Sequence, residues 1–313
     1  MGKQSTHPYA RKALNDLICI WNHTPKGRTL VTRRYKIVSG RLAPEMSGLR
    51  ILQISDVHGR MFGEDDCRLE KLAASLAPDL ILVTGDVINH HYLPGEKQTA
   101  RALYRVCARI APTYAILGNH ETNSVALDRF LDDITDSPVR LLRNESVNLE
   151  RGADGRITET SVGRGIRLMG IDTGPFTSLH QITEDTDGVS EKLDGLLALD
   201  GSHPPYTILM GHKPELLPWY ARPGVDLVFS GHAHGGLMQL WGGKTGLLCP
   251  GQGWFPKITK GIYSCRQTVN GELTDRHTVE IVSCGLGGPR WGVSPELVFT
   301  VLERKPDGGE TSE

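Results

Sequence analysis

The chain has 313 residues, enough for one large domain or two modest ones, and 39 % of them are hydrophobic, enough to fill a sizeable core. Lysine and arginine (35) balance aspartate and glutamate (36), which removes the broad positive field that non-specific nucleic-acid binders depend on, so no nucleic-acid partner is expected. No apolar run reaches the roughly 18 residues of a membrane span, no signal-peptide core stands at the N-terminus, and the six cysteines are scattered without a C-x-x-C pair; together these point to a reducing, cytoplasmic setting.

Within residues 10–23, Leu14, Leu17, Ile18 and Trp21 fall at i, i+3, i+4 and i+7, the spacing of one apolar helix face. A short amphipathic helix packed on the domain is the simplest reading, and peripheral contact of 10–23 with a membrane surface is the alternative. Residues 1–43 read as an N-terminal extension carrying this helix and a strand, 44–305 as the main domain, and 306–313 as a disordered polar tail.

From residue 50 a unit repeats: an apolar run, a polar cluster, then a stretch with helical periodicity, which is βαβ patterning. Strands are expected over 50–55, 80–84, 113–117, 206–210 and 226–230, where Ile, Leu and Val occupy consecutive positions, as in strands buried on both faces. Helices are expected around Leu69, Leu72, Ala73 and Leu76, around Leu103, Val106, Cys107 and Ile110, and around Leu127, Phe130, Leu131 and Ile134. Between 139 and 171 the pattern changes to shorter, partly alternating pieces with an Asp154-Gly155 hairpin signal, and similar pieces return after Gly242. The fold class expected is α/β, a mixed β core covered by helices.

Each of the five apolar strands runs into residues that bind metals. The loops carry Asp56-Val57-His58, Gly85-Asp86, Gly118-Asn119-His120-Glu121, Gly211-His212 and Gly231-His232-Ala233-His234. In open α/β sheets ligands bind beyond the carboxyl ends of the strands, so these loops should converge on one crevice. The donors are carboxylate, imidazole and amide with no thiolate, a set suited to Mn²⁺, Fe or Zn²⁺. Seven donors (Asp56, His58, Asp86, Asn119, His212, His232 and His234) exceed the needs of one ion. Two divalent ions about 3.5–4 Å apart that share a carboxylate would use them all, and such pairs serve phosphoester hydrolysis.

The order D-x-H, G-D, G-N-H-E, H and G-H-x-H resembles the calcineurin-like metallophosphoesterases, over roughly 50–301. Gly235-Gly236, the 260–263 stretch, the 283–287 stretch and Pro295-Glu296 are similar to a bacterial branch of small membrane-associated phosphoesterases. The resemblance implies a four-layer α-β-β-α sandwich, with mixed sheets flanked by helices, and makes 44–305 a catalytic domain. It implies one metal on Asp56, His58 and His234, a second on Asn119, His212 and His232, Asp86 between them, and His120 as the phosphate-contacting general acid. Glu121 is expected to orient a histidine or a loop amide.

Several other residues read more simply. His90 and His91 follow Asp86 closely, but loop histidines commonly face solvent; His180, His203 and His277 read as surface residues, and Asp172 as a turn former. Trp241, Trp254, Phe255 and Trp291 are expected in the core, with an apolar wall for a lipid or nucleoside group as the sharper alternative.

The protein-phosphatase branch carries an arginine after its G-D motif and another just before G-N-H-E, which grip a monoester dianion. Here the matching stretches read Val87-Ile88-Asn89-His90 and Ile116-Leu117, without arginine. Asn89 stands where that branch has an aspartate on the catalytic histidine. A diester or pyrophosphate bond in a small or lipid-linked phosphoester, such as a nucleotide sugar, is therefore expected over a phosphoprotein monoester. The alternatives are a phosphomonoesterase and a metal-free scaffold of the same fold, the latter predicting broken motifs that are not seen.

Overall fold

Residues 49–54 show how the layers arise. Leu49 and Ile51 face one side of the strand and Leu52 and Ile54 the other, all fully buried, as the period of two requires of a strand covered on both faces. A computed structural model describes residues 24–306 except 91, 93–94, 123–126, 162, 175–183, 186–187, 199–204, 240–245 and 270. The amphipathic segment 10–23 lies outside the described residues. Among them, no helix is long and apolar enough to cross a membrane.

The first sheet contains β1 (Val31–Ser39), β2 (Leu49–Ile54), β3 (Leu80–Val83), β4 (Thr113–Ala115), β5 (Arg140–Leu141) and the last strand, β15 (Glu296–Arg304), in the order β1-β15-β2-β3-β4-β5. The second contains β6 (Glu145–Arg151), β7 (Ile157–Thr160), β8 (Ile166–Ile171), β9 (Tyr206–Gly211), β10 (Leu227–Ser230), β13 (Gly261–Val269) and β14 (Glu272–Val282), in the order β13-β14-β10-β9-β8-β6-β7. A separate ribbon pairs β11 (Leu248–Cys249) with β12 (Gly253–Trp254). The helices are α1 (Pro25–Arg28), α2 (Cys67–Ser75), α3 (Glu96–Ile110), α4 (Asn119–Thr122), α5 (Leu127–Ile134), α6 (Val189–Leu197) and α7 (Leu217–Tyr220).

Both sheets are mixed. β2, β3, β4 and β5 run parallel, while β15 is antiparallel to β2 and parallel to β1. β8, β9, β10 and β14 run parallel, and β6-β7 and β13-β14 are antiparallel hairpins, the first closed by the Asp154-Gly155 turn. The strand expected in 1–43 is β1, an edge strand of the first sheet.

Side-chain alternation divides the core into three slabs. Ile81, Val83, Leu52 and Ile54 pack on α2, α3 and α5 through Leu69, Ala73, Leu103, Cys107 and Phe130. Leu80, Leu82 and Ile51 meet Ile208, Met210, Leu227 and Phe229 between the sheets. Leu209, Val228 and Met169 pack on α6 and α7 through Val189, Leu193 and Tyr220. The result is the α-β-β-α sandwich.

A charged clasp closes the end of the sheets opposite the strand termini that carry the motifs. Asp79 Oδ2 accepts the Arg50 backbone N–H at 2.9 Å and its Nε at 3.2 Å, Oδ1 accepts Nη2 at 2.7 Å, and Arg151 lies 3.4 Å from Oδ2. Burial opposes the charge on Asp79, but the Arg50 donors outweigh it and hold the carboxyl below its ordinary 3.8. A depressed carboxylate stabilises the fold above its unfolded value and loses that contribution as pH falls through the folded value. Asp79→Ala is expected to cost about 1–3 kcal/mol in urea denaturation at pH 7. The gap to the wild type should narrow below pH 3.8; a gap that widens in acid would contradict this origin.

Candidate metal centre

The carboxyl ends of β2, β3, β4, β9 and β10 meet at one edge of the sandwich. Gln53 stitches the two sheets directly beneath it, its Nε2 donating to Thr84 Oγ1 at 3.0 Å and to the Ser230 carbonyl at 2.8 Å. Backbone bonds then couple the loops: Asp56 N–H to Gly85 O, His58 N–H to Asp86 O and Gly231 N–H to His212 O, each 3.0 Å. Asp56, His58, Asp86, His232 and His234 all have φ between 48° and 63°, a region that side-chain-bearing residues rarely adopt. Such conformations gather at functional sites because only a well-packed surround maintains them.

This backbone brings all seven expected donors together. Asp56, His58 and His234 place one donor atom each within 4.8 Å of the others; so do Asp86, His212 and His232, and a third grouping joins His58, Asp86 and His120. Asp86 thus shares one grouping with His58 and another with His212 and His232. Asn119 reaches the second group through His212, its Oδ1 lying 3.1 Å from His212 Nε2. His212 Nδ1 is 2.7 Å from the Thr84 carbonyl, which fixes a proton on Nδ1, and its Nε2 faces Asp86 Oδ2 at 3.2 Å.

The donor set fits divalent cations. Both ring nitrogens of His58, Nε2 of His232 and Nδ1 of His234 are buried without a hydrogen-bond partner, and a buried polar atom left so is costly unless something else binds it. Burial pushes His58 down to about 3 and holds His232 and His234 well below the ordinary value, so their imidazoles are neutral and their lone pairs available. Burial, reinforced by the charge of Asp86, raises Asp56 to about 6. His212 resists burial because Asp86 beside it favours the imidazolium, up to about 10. Two carboxylates crowded in a dry pocket attract positive charge.

Glu121 holds the loops. Its Oε2 accepts the N–H of Asp86 at 2.9 Å and of Gly118 at 2.8 Å, and its Oε1 that of Ile88 at 3.0 Å. His120 donates its backbone N–H to Asp86 Oδ1 at 2.8 Å, packs its ring 4.6 Å from that of His58, and is 31 % exposed, the most open histidine of the group. Asn89 does not orient the His120 ring. Its side-chain amide donates to the His58 carbonyl at 3.0 Å and to Glu96, because the chain after Asp86 curls back over the His58 turn.

Other expected residues sit elsewhere. Asp172 is ion-paired with Arg143 at 2.9 Å, beyond a simple turn role. His90 is half-buried and His277 exposed, while His91, His180, His203 and Trp241 lie outside the described residues. Trp254 and Phe255, expected in the core, are 66 % and 69 % exposed, because the β11-β12 ribbon is too short to fold them under.

The stretch 283–287, singled out in the sequence only for its likeness to the bacterial branch, belongs to a segment 283–291 whose backbone bonds the Asp56 loop. Leu286 and Gly287 donate N–H groups to the carbonyls of Ser55 and Asp56. Glu296 pins the segment from β15 by accepting the Cys284 N–H at 2.9 Å and Arg33 at 3.1 Å. Arg290, fully buried, donates to the Gly285 carbonyl and turns its charge toward Asp56, His58 and His234. The glycines around 285–288 were the available signal.

The model of the calcineurin-like phosphoesterase family matches residues 49–236, more than half of the chain. A metallophosphoesterase from Aquifex aeolicus is 28 % identical over 290 residues, covering 88 % of this chain and 93 % of that one. A transmembrane protein with metallophosphoesterase domain from Bos taurus is 31 % identical over 206 residues, 63 % of this chain and 42 % of that one. The UDP-2,3-diacylglucosamine pyrophosphatase LpxG of Chlamydia muridarum is 26 % identical over 251 residues, 72 % and 75 % of the two chains.

Gly288 has φ +75°, and a Cβ there would stand 2.4 Å from His234 Cε1 and 2.8 Å from His58 Cδ2. Gly288→Ala is expected to fold yet to bind divalent metal about 10–100-fold more weakly, the usual effect of disturbing groups behind a metal ligand. Metal affinity by equilibrium dialysis checks this; unchanged affinity would contradict the fit.

Proposed function

We propose that this chain, which belongs to the calcineurin-like phosphoesterase family and is a phosphoester hydrolase, acts on a phosphodiester or pyrophosphate bond in a small or lipid-linked phosphoester such as a nucleotide sugar. Asp56, His58 and His234 would hold one divalent cation and Asn119, His212 and His232 a second, with Asp86 available to both; Mn²⁺ suits this oxygen and nitrogen set, with Fe or Zn²⁺ as substitutes. When bound, such a pair supplies charge at the phosphoryl oxygens and water acidified to near neutrality.

The protein's own groups do the rest. His120, the open histidine at the pocket mouth, donates a proton to the departing oxygen. Its backbone bond to Asp86 fixes where the ring stands. Glu121 keeps the Asp86 and Gly118 loops in register, so the distance between His120 and the donors holds without help from substrate.

The observation that carries the choice of bond is the direction of three side chains. Val87, Ile88 and Leu117 occupy the stretches where protein phosphatases bring arginines to a monoester dianion, and all three point into the apolar slab under α2 and α3. A bidentate guanidinium is the natural partner of that second charge, and these positions do not provide one. The pyrophosphatase named among the relatives supports the same choice. A cytoplasmic setting, with 10–23 against a membrane surface, would suit a lipid-linked substrate.

His120→Asn should retain its metals and fold while kcat falls by about two to four orders of magnitude, most on substrates with poor leaving groups; an undiminished rate on such substrates removes it as the acid. With Mn²⁺, kcat/KM for bis-nitrophenyl phosphate and a nucleotide-sugar pyrophosphate should exceed that for nitrophenyl phosphate and a phosphopeptide. A monoester advantage of about tenfold or more would overturn the assignment, and full rates in chelator-treated protein would overturn the metal reading.

A further inference from the structure

A cavity of about 610 Å³ opens against His58 and Asn89. Three guanidinium groups line it, from three separate segments: Arg28 at the end of α1, Arg60 in the turn after His58, and Arg68 in the first turn of α2. Arg60 assembles the group. Its Nη2 donates to the Gly27 carbonyl at 2.8 Å and Nη1 to the Leu286 carbonyl at 3.2 Å, and its guanidinium lies 4.9 Å over the Phe62 ring, so it ties α1 and the 283–291 segment to the metal-centre turn. Among the described residues, none of the three arginines forms an ion pair with a carboxylate.

Three like charges gathered in one concave space, with no carboxylate among the residues lining it, repel each other, and an anion among them relieves that repulsion. The volume is that of a site for a small organic ligand and far exceeds a single ion. We infer that this cavity is a second anion subsite, which takes the non-hydrolysed phosphate of a diphosphate ester while its neighbour is attacked at the metal centre. The inference rests on the reading of the centre given above and narrows its substrate to a phosphoanhydride. In a diphosphate, one bridging oxygen separates the two phosphorus atoms, and the subsite shares His58 with the centre, so the two phosphates fall on either side of that residue. A simple diester brings a single charge and leaves the arginines without a partner.

The test uses the double variant Arg28→Gln/Arg68→Gln in the full chain, since both side chains are exposed and make no ion pair among the described residues. Calorimetric titration of the protein as purified compares ADP with AMP, which differ only in the second phosphate. The wild type is expected to bind ADP at least tenfold more tightly, and the variant to hold the two within about threefold, as loss of charge-assisted pairs predicts. With Mn²⁺, kcat/KM for a nucleotide-sugar pyrophosphate should fall at least tenfold in the variant, while bis-nitrophenyl phosphate changes by less than about threefold. No ADP preference in the wild type, the same preference in both proteins, or equal losses on the two substrates would each overturn the subsite. Absence of metal-dependent hydrolysis in the wild type would instead overturn the reading of the centre, and the nucleotide titrations would still decide the cavity.

Discussion

Two carboxylates, Asp56 and Asp86, and four imidazoles, those of His58, His212, His232 and His234, are buried within a few ångströms of one another. At an effective dielectric near 20, a pair of unit charges 4 Å apart interacts by about 4 kcal/mol, so whether this cluster repels or coheres depends on what lies between its members. The protein supplies only part of the answer. Asp56 accepts the His232 N–H and Asp86 the His120 N–H, but these are neutral donors of modest worth, and four ring nitrogens are left with nothing. A chain that maintains such a cluster is shaped to receive cations, and the surrounding structure exists to keep the donors from relaxing away from one another.

That demand explains the local backbone. A side chain leaving the end of a strand normally continues the alternation of the sheet; turning several toward one point requires the chain to reverse its twist at the same place in several loops. The left-handed conformations of Asp56, His58, Asp86, His232 and His234 perform that reversal, at about 1–3 kcal/mol each. The cost is offset by the slabs beneath, where Leu52, Ile54, Val83, Met210 and Phe229 are fully buried and hold the strand ends rigid. Gly85 and Gly118 are required for the same reason: a Cβ on Gly85 would meet the Gly118 backbone at 2.6 Å, and one on Gly118 would meet Asp86 Oδ1 at 2.2 Å.

Much of this was legible in the sequence, and the parts that were not share a cause. Strands buried on both faces announce themselves as runs of Ile, Leu and Val, and helices α2, α3 and α5 as apolar positions at 3.6-residue spacing. The candidate metal donors were visible because each follows a strand directly, so position along the chain predicts position in space. Arg290 and the Arg60 clasp were invisible because their partners are backbone carbonyls at Gly285, Gly27 and Leu286, which any residue could supply. The partners of Asn89 were hidden for a related reason: its place in the motif was clear, but the curl of the chain that aims its amide at the His58 carbonyl depends on Glu96, seven residues on in α3. Trp254 and Phe255 failed because aromatic composition alone does not say whether a short ribbon can bury its own side chains.

The division between what was legible and what was not follows a division of labour. The candidate donors of the metal centre all lie within 49–236, the stretch shared with the family. The arginine-lined cavity draws Arg28 from before that stretch and Gly287 and Gly288 from after it, joined to the turn carrying Arg60. Of the segments outside the shared core, Gly288 stands against His58 and His234 and is constrained by the donors, whereas Arg28 lines the cavity and is not among the grouped donors. Relatives can therefore keep one reaction while the walls around His58 diverge, and identity near 28 % is compatible with the same chemistry acting on different molecules.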